Sequence, residues 1–188
     1  MKNLSISLLL LLFTLSCAEN DSYSKRVLNA DTENESWLLH GRTYDESRFS
    51  PLNDINDSNV QDLGLGWSFE TGTNRGHETT PIVVDGIMFI TAPWSVVFAL
   101  DAKTGKEIWS FDPEADKDWA RNACCDVVNR GVAVWGDQVV FATIDGRLIS
   151  LDKASGLVNW DVLTIDKSKP YTITGAPRII DGKIIIGN

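Results

Sequence analysis

From Pro81 onward the chain alternates short apolar runs with turn residues. Pro81-Ile-Val-Val84 and Ile87-Met-Phe-Ile90 flank Asp85-Gly86, a dipeptide that suits the tight left-handed turn of a hairpin. Val96-Val-Phe-Ala-Leu100 and Glu107-Ile-Trp-Ser-Phe111 flank a second turn at Thr104-Gly105. The pattern predicts four strands in this unit, joined by short connections. Upstream, Asp57-Ser58-Asn59-Val60 predicts a short helical turn, and Leu63-Gly-Leu-Gly-Trp-Ser-Phe69 reads as a strand.

The same pattern returns. Ala99-Leu-Asp-Ala-Lys-Thr-Gly-Lys-Glu-Ile-Trp109 recurs as Ser150-Leu-Asp-Lys-Ala-Ser-Gly-Leu-Val-Asn-Trp160, and Trp67-Ser-Phe69 is echoed by Trp109-Ser-Phe111. Val84-Asp-Gly86 returns as Ile180-Asp-Gly182, with Trp135-Gly-Asp137 in the matching place between them. A period of roughly 40 to 50 residues with four strands in each repeat predicts an all-β fold, a β-propeller of four-stranded Trp-docking blades. Each closing tryptophan offers a large ring with one polar N–H, suited to packing one blade on the next. The units comprise an incomplete start ending near Phe69, two full blades and the opening strands of another. A closed propeller needs about four to eight blades, and the last residues, Ile184 to Asn188, read as the middle of a strand. The expectation is an N-terminal fragment of a longer protein, with the propeller part covering residues 37–188.

Composition narrows the class only a little. In 188 residues, 43% are hydrophobic and 23% charged, as in globular proteins, and the net charge of −9 argues against a nucleic-acid partner. Met1-Lys2-Asn3, an apolar run from Leu4 to Leu15 and then Ser16-Cys17-Ala18 read as a secretory signal over residues 1–18, too short for a membrane span. Two outcomes stay open there: lipidation of Cys17, which makes the protein an anchored lipoprotein, or cleavage after Ala18. Either implies export to a periplasmic, oxidising compartment. Residues 19–36 are polar and acidic and read as a tether. His40 and His77 have no second ligand at metal-binding spacing and read as structural hydrogen-bonders.

One stretch stands apart from the repeat. Asn122-Ala-Cys-Cys-Asp-Val-Val-Asn-Arg-Gly131 places two adjacent cysteines just ahead of an arginine, in a loop between strand-rich units. A bridge between neighbours whose Cα atoms are only ~3.8 Å apart closes a small strained ring, and such strain tends to mark functional sites. The plain alternative is a chance pair of buried thiols. Together with Arg75-Gly-His-Glu-Thr-Thr-Pro81 and Lys169-Pro-Tyr-Thr-Ile-Thr-Gly-Ala-Pro177, the stretch resembles the pyrroloquinoline quinone (PQQ)-dependent alcohol dehydrogenases. Trp37-Leu-Leu-His-Gly-Arg42 and Arg48-Phe-Ser-Pro-Leu52 resemble the opening of the same quinoproteins.

The resemblance implies an eight-bladed propeller and a disulfide between Cys124 and Cys125 that serves as a floor beneath PQQ. It implies that Glu78 and Thr174 bind polar groups at the edge of PQQ and that Arg130 lies near its reactive oxygens. Those five residues lie in loops between strands or at their starts, on one end of the propeller, where loops converge on a central channel. A planar polyanionic quinone requires a flat face and a cationic, hydrogen-bonding rim, so the residue types suit it. The resemblance further implies an alcohol substrate and a cytochrome or quinone electron acceptor. It also implies a calcium ion, whose ligands, like the catalytic base, come from later blades and have no counterpart before Asn188. No Cys-x-x-Cys-His haem motif occurs in the chain, which leaves a haem c domain elsewhere open. Two rival readings are a non-enzymatic envelope propeller used as a scaffold and a sugar-oxidising quinoprotein. Adjacent cysteines in register with Glu78 and Arg130 have no use in the first, and favour alcohols over sugars in the second.

Overall fold

A computed structural model of the chain describes residues 22–187. The expected signal segment, with Cys17, lies outside the described residues.

The predicted strands form two four-stranded antiparallel sheets. The first contains β1 (Ile82–Val84), β2 (Ile87–Thr91), β3 (Val97–Asp101) and β4 (Glu107–Phe111), paired in that order. The second contains β5 (Ala133–Trp135), β6 (Gln138–Ala142), β7 (Arg147–Asp152) and β8 (Val158–Leu163), again in sequence order. A third unit opens with the hairpin β9 (Arg178–Ile180) and β10 (Lys183–Ile185). The first strand of each sheet lies innermost, β1 against β5 and β5 against β9. This is the meander of propeller blades stacked side by side, as the repeat predicts.

The turns explain the register. At Asp85-Gly86 and Asp181-Gly182 both central residues have positive φ, 54° and 79° in the first and 49° and 69° in the second, matching the twist of the flanking strands. Between β3 and β4 the Asp101 carboxylate accepts from the Thr104 N–H at 2.8 Å and its hydroxyl at 2.7 Å. Asp152 does the same for Ser155, at 2.8 and 2.6 Å. Even the irregularity repeats: β3–β4 shifts register at Ala99/Leu100 and β7–β8 at Ser150/Leu151.

These turns receive the tryptophans. The Trp67 ring lies on Gly105 and donates its indole N–H to the Ala102 carbonyl at 3.3 Å. Trp109 lies on Gly156 and donates to the Lys153 carbonyl at 3.0 Å. A Cβ built on Gly105 would stand 2.4 Å from the Trp67 ring, and one on Gly156 would stand 2.7 Å from that of Trp109. Each glycine serves twice, turning the chain at positive φ and leaving a seat for the ring. The second sheet, packed on both sides, has β5 wholly buried and β6 and β7 nearly so, whereas β8 is exposed along most of its length.

Two expectations need correction. Leu63–Phe69 pairs with no strand among the described residues; it runs irregularly, after a 3-10 turn at Val60–Asp62, and only Trp67 and Phe69 dock, the latter edge-on to Phe98 at 5.1 Å. Residues 22–36 are no free tether. Residues 22–28 are helical, and Tyr23, Val27 and Ala30 are buried, Tyr23 against Trp135 at 5.1 Å. Tyr23 and Val27 share one face of the helix and Ala30 opens the 3-10 turn that follows, a pattern hidden by the polar residues around it. Arg26 pairs with Glu33 at 2.6 Å and Asp85 at 2.9 Å, and buried Arg42 with Asp31 at 2.9 Å, so the segment is clasped to the hairpin ends of the blades. Trp37 then bridges Val83 through two backbone hydrogen bonds.

The docking geometry makes a direct prediction. Gly156→Ala in the whole protein forces a Cβ into the Trp109 ring at a left-handed residue and should destabilise it by about 2 kcal/mol or more. The measurement is the midpoint of chemical denaturation; an unchanged midpoint would show that the indole does not lock the blades.

Candidate site at the leading end of the inner strands

Three loops arrive at the same end of the blades, each just ahead of an innermost strand. Glu78 precedes β1, Arg130 precedes β5 and Thr174 precedes β9. Their backbones are stitched together: the Thr80 N–H donates to the Arg130 carbonyl at 3.2 Å, and the Arg130 N–H donates to the Thr174 carbonyl at 3.0 Å. Side chains repeat the connection. Arg130 donates through Nη1 to the Thr174 hydroxyl at 2.6 Å and pairs through Nη2 with Glu78 at 2.7 Å. Three residues singled out in the sequence, on three successive units, therefore touch.

The other two share a neighbouring loop. Cys124 and Cys125 are exposed, with their sulfurs at bonding separation and their Cα atoms 3.8 Å apart. Among the described residues no hydrogen bond or ion pair joins them to Arg130; chain continuity and an ion pair of the neighbouring Asp126 tie their loop to the site. Arg75, three residues before Glu78, pairs with Asp126, immediately after Cys125. The loop carrying Glu78 thus clamps the loop carrying the sulfurs.

Below this surface lies Asn129, which the sequence did not single out. Only 2% exposed, it donates to the Ala142 carbonyl at 2.8 Å and the Ser95 hydroxyl at 3.2 Å, and accepts from the Gly131 N–H at 3.0 Å. Its carbonyl accepts from the Thr91 hydroxyl at 3.2 Å. Every polar group of Asn129 named here bonds to blade framework, so the backbone on either side of Arg130 is fixed. Its place inside the Cys-Cys-to-Arg motif was the available signal, but an asparagine beside an arginine reads as a loop residue until its burial is known.

The approach to the cysteines is pinned from the second blade. The Asp145 carboxylate, 5% exposed, accepts from the Asp116 N–H at 3.2 Å and from the Thr143 hydroxyl, and faces Arg147. Arg147 in turn donates to the Pro113 carbonyl at 2.6 Å. Burial alone would push the Asp145 carboxyl up, but the Thr143 and Asp116 hydrogen bonds and the Arg147 charge together hold it below the usual carboxylate range. His40, whose imidazole is pushed down by burial and by nearby Arg178, meets the Thr80 hydroxyl at 3.4 Å. His77 meets the Thr71 hydroxyl at 2.7 Å.

Chemically, the site offers an ordered guanidinium that is still 41% exposed, a carboxylate 42% exposed, a hydroxyl and a bonded sulfur pair facing solvent. An ion pair this open is worth only about 0–1 kcal/mol, so an anionic ligand can engage Arg130 at little cost. This set fits a flat, multiply anionic quinone. It does not make a metal site: among the described residues no three His, Cys, Asp or Glu side chains cluster as ligands.

Blades docked by tryptophan, with charged loops gathered at the leading end of their inner strands, define the chain as part of a β-propeller. Residues 37–188 match the family described as "PQQ: Glucose/ethanol/alcohol dehydrogenase, beta-propeller domain", and the chain belongs to that family. It is 53% identical over 164 residues to the quinohemoprotein alcohol dehydrogenase ADH-IIG of Pseudomonas putida, covering 87% of this chain and 23% of that protein. It is also 53% identical over 153 residues to the 1-butanol dehydrogenase (cytochrome c) of Thauera butanivorans, covering 81% of this chain and 22% of that one. The solved structure of the quinohemoprotein alcohol dehydrogenase from Pseudomonas putida HK5 superposes with a TM-score of 0.85 at 52% identity, over 87% of this chain and 24% of that one. The chain thus spans less than a quarter of the length of these relatives.

The Asp145 anchor predicts a pH dependence. Because the folded carboxyl is held low, its contribution is complete above the unfolded value of about 3.9 and is lost as pH falls through the lower folded value. Asp145→Asn should cost about 1–3 kcal/mol at pH 7, and the gap to the native protein should close as pH drops below about 4. Denaturation at a series of pH values checks this.

Proposed function

We propose that this chain supplies the quinone-binding blades of an exported, PQQ- and calcium-dependent alcohol dehydrogenase that oxidises alcohols to aldehydes. The observation that carries the reading is Arg130 held jointly by Glu78 and Thr174 from the neighbouring units. Family membership and relatives named as alcohol dehydrogenases support it.

When bound, PQQ supplies the two-electron acceptor for hydride leaving the alcohol carbon. The residues of this chain bind and orient. Glu78 and Thr174 hold the Arg130 guanidinium in place, and its positive charge would favour the negative charge that develops on a bound quinone as it is reduced. The exposed Cys124–Cys125 pair would give a flat ring a surface to rest on. The calcium ion and the base that would remove the alcohol proton are expected from other parts of the whole protein, and a cytochrome or quinone would accept the electrons. Export, by a lipidated Cys17 or by cleavage after Ala18, places the sulfur pair in an oxidising compartment where its bond persists.

Three outcomes are expected in the whole protein. Arg130→Ala should keep the fold and lose at least about a hundredfold in dye-linked alcohol oxidation, with weaker PQQ binding in equilibrium titration. Arg130→Lys should recover only part, because a single ammonium cannot meet Glu78 and Thr174 together. Wild-type titration and turnover in Arg130→Ala would remove that residue from the site. Peptide mapping of non-reduced, exported protein should recover Cys124 linked to Cys125; two free thiols would contradict the proposed floor.

A further inference from the structure

The connection between β2 and β3 holds two consecutive non-glycine residues in left-handed backbone, Trp94 at φ 67° and Ser95 at φ 63°. That region is disfavoured for any residue bearing a Cβ, so a pair persists only where its surroundings dictate it. Here they do. The Ala92 N–H closes the turn on the Val96 carbonyl at 2.8 Å, and the Ser95 hydroxyl accepts from buried Asn129.

What the turn delivers is a grip on the cysteine loop. The Trp94 N–H donates to the Val127 carbonyl at 2.9 Å, and the indole packs in a cluster with Ala123 and Val127. Ala123 immediately precedes Cys124 and Val127 is the second residue after Cys125, so the tryptophan bonds to one flank of the sulfur pair and shares an apolar cluster with the other. The Arg75 guanidinium lies 5.8 Å from the indole centroid while pairing with Asp126, and the Lys117 ammonium lies 4.1 Å from the same centroid. Both cations attract the ring face electrostatically. Asp126 is itself left-handed, at φ 69°.

A tryptophan that merely fills space explains the ring contacts and leaves the backbone unexplained. The blade-docking role is already filled by Trp67 and Trp109, on other turns. We propose that Trp94 is a positioning residue that holds the Cys124–Cys125 pair in the orientation from which it supports a planar anionic ligand. This rests on the sulfur pair being the floor of the quinone site.

Trp94→Gly tests it, because glycine adopts the left-handed backbone freely while the ring is lost. Two readouts are taken on the whole protein: the rate at which a water-soluble phosphine reduces the Cys124–Cys125 bond without ligand, by thiol labelling and mass spectrometry, and the PQQ dissociation constant. With an unchanged circular dichroism spectrum, reduction should speed up by about tenfold and PQQ affinity should fall by about tenfold. A double variant, Arg75→Gln with Lys117→Gln, leaves the apolar packing intact and should move both readouts the same way by about threefold. A wild-type reduction rate in folded Trp94→Gly overturns the proposal. Should that variant fail to fold, a wild-type rate in the double variant overturns it instead. A native protein that binds no PQQ defeats the reading of the site, and the reduction rate, needing no ligand, still decides whether Trp94 holds the sulfurs.

Discussion

An indole seated on a glycine is the contact on which this architecture depends. Each sheet alone has two faces and an edge to cover, and stacking sheets covers the faces only if they meet at a fixed angle and height. Trp109 on Gly156 sets both, because the ring fits only where a Cβ is missing and its N–H must reach the Lys153 carbonyl. Burying a tryptophan ring contributes on the order of 5 kcal/mol at about 25 cal/mol per Å², more than any exposed ion pair between the blades.

The candidate site inherits its order from that docking. With the blades fixed, the leading ends of β1, β5 and β9 stand side by side, and the backbone bonds from Thr80 to Arg130 and from Arg130 to Thr174 can close. On this stiff base the polar groups are open and weakly paired. Arg130 is ordered by two partners and is still 41% exposed. Rigidity comes from buried Asn129 and the Asp145–Arg147 anchor, and exposure is kept for the groups that would meet a ligand. The opposite end of the blades is closed by the clasp of residues 22–36, whose Arg26 ties two carboxylates together and whose Tyr23 rests on Trp135.

Much of this was legible in the residues. Asp-Gly hairpins, the Asp-x-x-Thr/Ser-Gly turn and its tryptophan are local signals repeated along the chain, and each copy strengthens the reading of the others. Glu78, Arg130 and Thr174, which the fold brings into contact, could be singled out only as members of ordered motifs, since each alone is an ordinary loop residue. Other features were hidden for physical reasons. Leu63–Phe69 has the composition of a strand, but a strand exists only where a partner does. Tyr23, Val27 and Ala30 are too few and too widely set among charges to register as an amphipathic face.

By itself the sequence determined the blade: strand lengths, turn types and the tryptophan–glycine pairing all follow from short-range chemistry and alternating polarity. Tertiary structure alone decided which side chains meet. The bond from Arg130 to Thr174, the burial of Asn129 and the grip of Trp94 on the cysteine loop join residues of different blades. Contacts of that kind depend on the angle at which neighbouring sheets stack, and stacking angle leaves no mark on the local order of residues.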